Sequence, residues 1–125
     1  MMHRKKILIV DPSPIARREL KVAIETHETL VEVIEVPDAE QARNILRKHQ
    51  PDVAFVETDL PLSEGPGLIQ AIRQTAPECR IIARTGTESE EVKTAARENG
   101  ADGFLTKGMS VGFRLIDLIH EVIRR

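Results

Sequence analysis

An α/β fold, a doubly wound parallel sheet of five strands covered by helices on both faces, is what this sequence predicts, and three observations predict it. Short apolar runs recur five times along the chain, each too short for a helix. Stretches with apolar residues at helical spacing follow each run, and Pro, Gly, Ser and Asp mark the joints. Parallel neighbours need a crossover long enough to hold a helix, so strict strand–helix alternation argues for a parallel sheet with helices on both sides. The chain has 125 residues, which suits one domain burying roughly two-thirds of the surface its unfolded form exposes. Residues 1–125 therefore read as a single unit.

Each element has its own signal. Ile7 to Val10 form the first apolar run, and Ser13 with Pro14 then offers a capping hydroxyl and a proline at the first helical position. Ala16, Leu20, Ala23 and Ile24 repeat at helical spacing opposite Arg17, Arg18, Glu19 and Lys21. Val31 to Val36 nearly alternate apolar and acidic residues, which suits a strand with one wetter face near the sheet edge. Asp38 and Gln41 have capping-box spacing, and Ala42, Ile45 and Leu46 carry the second helix to His49 before Pro51 stops it.

Val53 to Val56 are the central strand, ending in Glu57, Thr58 and Asp59. Gly65, Pro66 and Gly67 lead into a third helix with Leu68, Ala71 and Ile72, which ends near Pro77. Arg80 to Arg84 are the fourth strand. Thr87 and Glu90 have the spacing to start a fourth helix over Val92, Ala95 and Ala96, closed by Asn99 and Gly100. Gly103 to Thr106 form the fifth strand, and Ser110 opens a last helix with Val111, Leu115, Leu118, Ile119 and Val122.

Composition excludes several classes of function. The 18 basic and 20 acidic residues give a net charge of -2, and the aromatics are three Phe with no Trp or Tyr, so nothing marks a polyanion binder or a base-stacking platform. Cys79 is the single cysteine, which rules out a disulfide framework and a cysteine-based zinc site and suits a reducing cytoplasm. His3, His27, His49 and His120 share no metal-ligand spacing. The basic run at His3 to Lys6 precedes only four apolar residues, too few for a signal peptide or a membrane span.

The acids at the end of the central strand mark the candidate site, because ligand sites in open α/β sheets lie beyond the carboxyl ends of the strands. The segments KKILIVDPSP, PDVAFVETDLPLSEG, RIIARTG and ADGFLTKG, in this order and spacing, resemble the four signature segments of the response-regulator receiver domain. That resemblance implies a flavodoxin-like three-layer sandwich with strand order 2-1-3-4-5 and a crevice between strands one and three, across which Asp11 and Glu57 face each other. It places Glu57 at the phosphoacceptor position, Asp11 and Pro12 at the acidic pair, Thr85 at the hydroxyl position, Lys107 at the lysine after strand five and Phe104 at the switch aromatic. The family often has proline after that lysine, where this chain has Gly108.

Two of these positions depart from the family. Glutamate for aspartate moves the carboxylate by roughly 1.5 Å, and misplacement on that scale costs about a hundredfold in an oriented displacement. Pro12 has no side-chain oxygen for a magnesium ion, which demands near-octahedral oxygen ligands. The expectation is thus a signalling module and not an enzyme, held without phosphate or cofactor in one state, active-like, by Glu57 reaching toward Lys107 and Thr85. Its partner would be a histidine kinase, an output domain or its own copy in a homodimer, met through the fourth helix, fifth strand and fifth helix, with no role for nucleic acid or membrane. The competing expectation is a working phosphoacceptor, with Glu57 or Asp59 as acceptor and magnesium held by Asp11, Glu57 and Asp59.

Overall fold

The computed structural model describes residues 4–60, 64–86, 89–107 and 117–121. Its elements follow in the order β1 (Lys5–Val10), α1 (Pro14–His27), β2 (Val31–Val36), α2 (Ala39–Leu46), β3 (Val53–Glu57), α3 (Glu64–Thr75), β4 (Arg80–Thr85), α4 (Glu90–Glu98) and β5 (Gly103–Thr106). Residues 117–121 are helical and are called α5. The five strands form one parallel sheet in the order β2-β1-β3-β4-β5. After β2 the chain crosses back over β1 to reach β3, so the direction of winding reverses between β1 and β3, and a crevice opens at their carboxyl ends.

Side chains alternate along each strand and so divide the core in two. Leu8, Val10, Ala54, Val56, Ile81 and Ala83 pack with Ala42, Leu46, Leu68, Ile69, Ile72 and Ala96, which places α2, α3 and α4 on one face. Ile7, Ile9, Val53, Phe55, Ile82 and Leu105 pack with Leu20, Ile24 and Ile119, which places α1 and α5 on the other. On that side the His27 and His120 rings meet edge to face, with centroids 6.4 Å apart. Every residue of β3 is buried, as a central strand requires, whereas edge strand β2 leaves Glu32 exposed and Glu35 half-buried.

Several boundaries differ from the sequence reading, each for a local reason. Helix α2 ends at Leu46 and not at His49: the Lys48 N–H bonds the Ile45 carbonyl three residues back at 3.0 Å, which tightens the chain out of the α pattern. Helix α3 begins at Glu64, so Gly65, Pro66 and Gly67 lie within its first turn, where a proline gives up no helical hydrogen bond. The cap of α4 is Ser89, which accepts from the Val92 N–H at 3.4 Å, in place of Thr87. Thr87 lies outside the described residues, as do Gly108, Ser110, Val111, Leu115 and Val122.

Other signals hold as read. Ser13 caps α1 by accepting from the Ala16 N–H at 3.1 Å, and Asp38 caps α2 by accepting from the Gln41 N–H at 2.8 Å. Gly100 ends α4 with φ of 117°, a conformation that favours glycine.

Cys79 sits at the opposite end of the sheet and is 2% exposed. Burial pushes its thiol up to about 12, so at pH 8 only about one molecule in ten thousand carries the reactive thiolate. The native protein is therefore expected to resist a thiol-specific dye at pH 8 and to react with one equivalent on denaturation in urea. Fast stoichiometric labelling before unfolding would show the thiol to be accessible.

Candidate functional site

The period of two that sorts the core also builds the site. Asp11 continues the face of Ile7 and Ile9, Glu57 that of Val53 and Phe55, Arg84 that of Ile82, and Lys107 that of Leu105. Four charged side chains from four adjacent strands are thereby delivered to the carboxyl edge of the sheet, on the α1 and α5 side. Asp11 is fully buried, Arg84 is 1% exposed and Glu57 is 3% exposed.

Lys107 bridges the two acids: its Nζ lies 2.9 Å from Asp11 Oδ2 and contacts Glu57 Oε2. Arg84 Nη1 lies 3.3 Å from the same Asp11 Oδ2. Two carboxylates thus face two cations, and the set is formally neutral. Buried charges are tolerated on that condition, since an ion left unpaired away from water costs several kcal/mol. Burial pushes the Arg84 guanidinium below its ordinary pKa, opposed by the charges of Asp11 and Glu57. Burial also pulls on the Lys107 ammonium, but its bonds to Glu57 and Asp11 outweigh this and hold its pKa above the ordinary value. Its pairing is lost only as pH rises through that raised value, so the bridge is fully charged at neutral pH.

The remaining carboxylate oxygens shape the loops. Asp11 Oδ1 accepts the Ser13 N–H at 2.9 Å, and Glu57 Oε1 accepts the Asp59 N–H at 2.9 Å. Arg17 donates to the Asp11 carbonyl at 2.6 Å and to Glu35 at 3.1 Å, which fastens the loop between β1 and α1. Thr58 donates from its N–H and its hydroxyl to the Arg84 carbonyl, at 2.9 and 3.3 Å. The loop leaving β3 is thus tied to β4.

Of the residues expected at this site, Asp11, Glu57 and Lys107 come together. Thr85 is buried and adjoins them through its carbonyl, which accepts the Lys107 N–H at 2.8 Å. Asp59 meets Glu57 through its backbone N–H, and its exposed side chain lies beside Gly86. Phe104 is elsewhere: it packs against the core of the α2, α3 and α4 face, with the Arg97 guanidinium 5.3 Å from its ring centroid. Arg84 is the residue that sequence reasoning missed. The available signal was a cation in register with Ile82, on the buried face of an otherwise apolar strand.

Magnesium, which receiver domains hold at this edge, does not fit the residues present. All four oxygens of Asp11 and Glu57 are already engaged by Ser13, Asp59, Lys107 and Arg84, and Pro12 offers no side-chain oxygen. Among the described residues no three acidic, histidine or cysteine side chains converge to hold a metal ion, so Asp11, Glu57 and Asp59 do not form the set considered from sequence. No described helix is long and apolar enough to cross a membrane.

Known proteins share this architecture. The virulence transcriptional regulatory protein PhoP of Shigella flexneri is 32% identical over 102 residues, 82% of this chain and 45% of that protein. The protein-glutamate methylesterase/protein-glutamine glutaminase of Bordetella pertussis is 30% identical over 107 residues, 85% of this chain and 31% of that one. The chain thus spans less than half the length of these curated relatives. A CheY-like response regulator receiver domain protein from Methanospirillum hungatei JF-1 superposes with a TM-score of 0.84 at 26% identity, covering 97% of this chain and 94% of that one. The signal receiver domain of a DNA-binding response regulator from Colwellia psychrerythraea 34H shares the fold at a TM-score of 0.87 and 18% identity, covering 97% and 99%. The profile of the response regulator receiver domain matches residues 7–120. That match begins within β1, runs through the other four strands and takes in Asp11, Glu57, Arg84 and Lys107, so the chain belongs to the receiver-domain family of two-component signalling.

Proposed function

We propose that this receiver domain signals without taking up a phosphoryl group, and that it acts by binding a protein partner and not as an enzyme. The observation that carries this reading is the Lys107 bridge. A lysine that joins Asp11 to Glu57 already makes, inside the chain, charged contacts of the kind an incoming phosphoryl group would have to make. Phosphoryl transfer depends on positioning and charge neutralisation, normally with a metal. Here the nucleophile is displaced, the metal ligands are occupied and the cations are spent on the resident acids. The pocket then serves to hold the loops after β1 and β3 in one arrangement.

The partner surface in this reading is the face of α4, β5 and α5, where Phe104 is clamped beneath Arg97. A histidine kinase, an output domain or a second copy of the chain would dock there. The setting we assign is the cytoplasm, which a lone buried thiol suits.

Incubation with magnesium and a small acyl-phosphate donor tests the reading by intact mass. The natural protein is expected to show no gain of a phosphoryl group. Glu57→Asp is expected to stay below about one-tenth occupancy, because Pro12 and Arg84 remain and deny the transfer the metal it depends on. Stoichiometric phosphorylation of the natural protein overturns the proposal.

A further inference from the structure

We propose that Arg84 is a built-in cation that takes up, from within the chain, the side of Asp11 Oδ2 on which a divalent metal would bind beside Glu57, and so keeps metal out of this pocket. The inference rests on the phosphate-independent reading above and names the residue responsible for it. Its basis is the path of the side chain. β4 neighbours β3, while β1 lies one strand further on. The ends of β4 and β1 are therefore roughly 10 Å apart at ordinary strand spacing. Arg84 is the register partner of Glu57 on β3 and yet bonds to Asp11 on β1. To do so it reaches past β3, and its Nη1 ends on the Asp11 oxygen that Lys107 also holds.

The local chemistry agrees. Arg84 lies in a strand whose neighbours Ile81, Ile82 and Ala83 are buried and apolar, and it is itself 1% exposed. Packing alone would favour an aliphatic residue there, as an unpaired guanidinium is among the costliest groups to bury. With Arg84 and Lys107 present, the charge of two carboxylates is cancelled before any ion arrives. A divalent ion entering this low-dielectric site would meet two positive charges. Removing Arg84 alone leaves the set at a net charge of -1 and frees one side of Asp11 Oδ2. Arg84 is thus a positioning residue for the acids, and its removal should create a function as well as weaken a structure.

Mn²⁺ serves as the probe, titrated by calorimetry and by its paramagnetic signal. The natural protein is expected to show no saturable uptake at millimolar Mn²⁺. Arg84→Met is expected to bind at least about tenfold more tightly than the natural protein. Arg84→Lys, which keeps the charge, should behave like the natural protein. Saturable millimolar binding by the natural protein, or no gain in Arg84→Met, overturns the assignment.

Should Arg84→Met fail to fold, the natural protein labelled with ¹⁵N-arginine supplies a second measurement. The Arg84 side-chain resonance is expected to be protected from solvent exchange and not selectively broadened by Mn²⁺. Selective broadening overturns the proposal. The two readings fail separately: a silent Arg84→Met beside an unphosphorylated natural protein removes Arg84 from its role and leaves the proposed function standing. Phosphorylation of the natural protein removes the proposed function whatever the variant does.

Discussion

Arg84→Met is expected to lower the free energy of unfolding by about 3–5 kcal/mol in urea melts at neutral pH, because it removes one partner from a buried ionic set. Asp11, fully buried, and Glu57, 3% exposed, would keep Lys107 as their one cation among the described residues. The partly exposed pairs at the rim give the comparison. Lys21 lies 3.7 Å from Glu35, and its side chain is 36% exposed. Removing it is expected to cost no more than about 0.5 kcal/mol, as such pairs gain little over water.

The double variant Arg84→Met with Asp11→Asn separates charge from packing. Asparagine keeps an oxygen for the Ser13 N–H, and the pair of charges leaves together, so at least half of the loss is expected to return. An Arg84→Met loss below about 1 kcal/mol, with no recovery in the double variant, would show that the guanidinium is solvated and unpaired.

The fold was legible because its strands are so deeply buried. A parallel strand covered on both faces reads as a continuous apolar run, and β1, β3 and β4 each carry one. The alternation in β2 told correctly of an edge. Asp11, Glu57 and Lys107 were legible as charges placed just where apolar runs stop. Arg84 was not, because a charge at the end of a run reads the same whether it turns into solvent or into the sheet. Only the pairing of β3 with β4, which sets Arg84 level with Glu57, decides between them. The start of α4 is set by Ser89, whose hydroxyl oxygen accepts the Val92 N–H, a cap the spacing of Thr87 and Glu90 did not point to. The start of α3 was misplaced because Gly65 and Pro66 read as breakers, although a first turn tolerates both.

That first turn supplies the second large effect. Gly65→Ala is expected to destabilise the protein by about 2–3 kcal/mol, the cost of overpacking a site that cannot give. A Cβ there would stand 2.7 Å from the Thr58 carbonyl oxygen, 3.0 Å from its Cα and 3.1 Å from its carbonyl carbon. All three are backbone atoms, so no side-chain rotation relieves the contact. The loop that must move is the one tying Thr58 to the Arg84 carbonyl and Asp59 to Glu57. The strain therefore reaches the charged pocket, and amide signals of Thr58, Asp59 and Lys107 are expected to shift with it. Gly67, two residues on in the same turn, has only Arg43 Nη2 within reach of a Cβ, at 3.9 Å. Gly67→Ala should raise stability by up to about 1 kcal/mol, since alanine loses less backbone freedom in a helix. Opposite signs at these neighbouring glycines would identify close approach to Thr58, and not helix propensity, as the reason Gly65 is glycine; equal effects of the same sign would refute it.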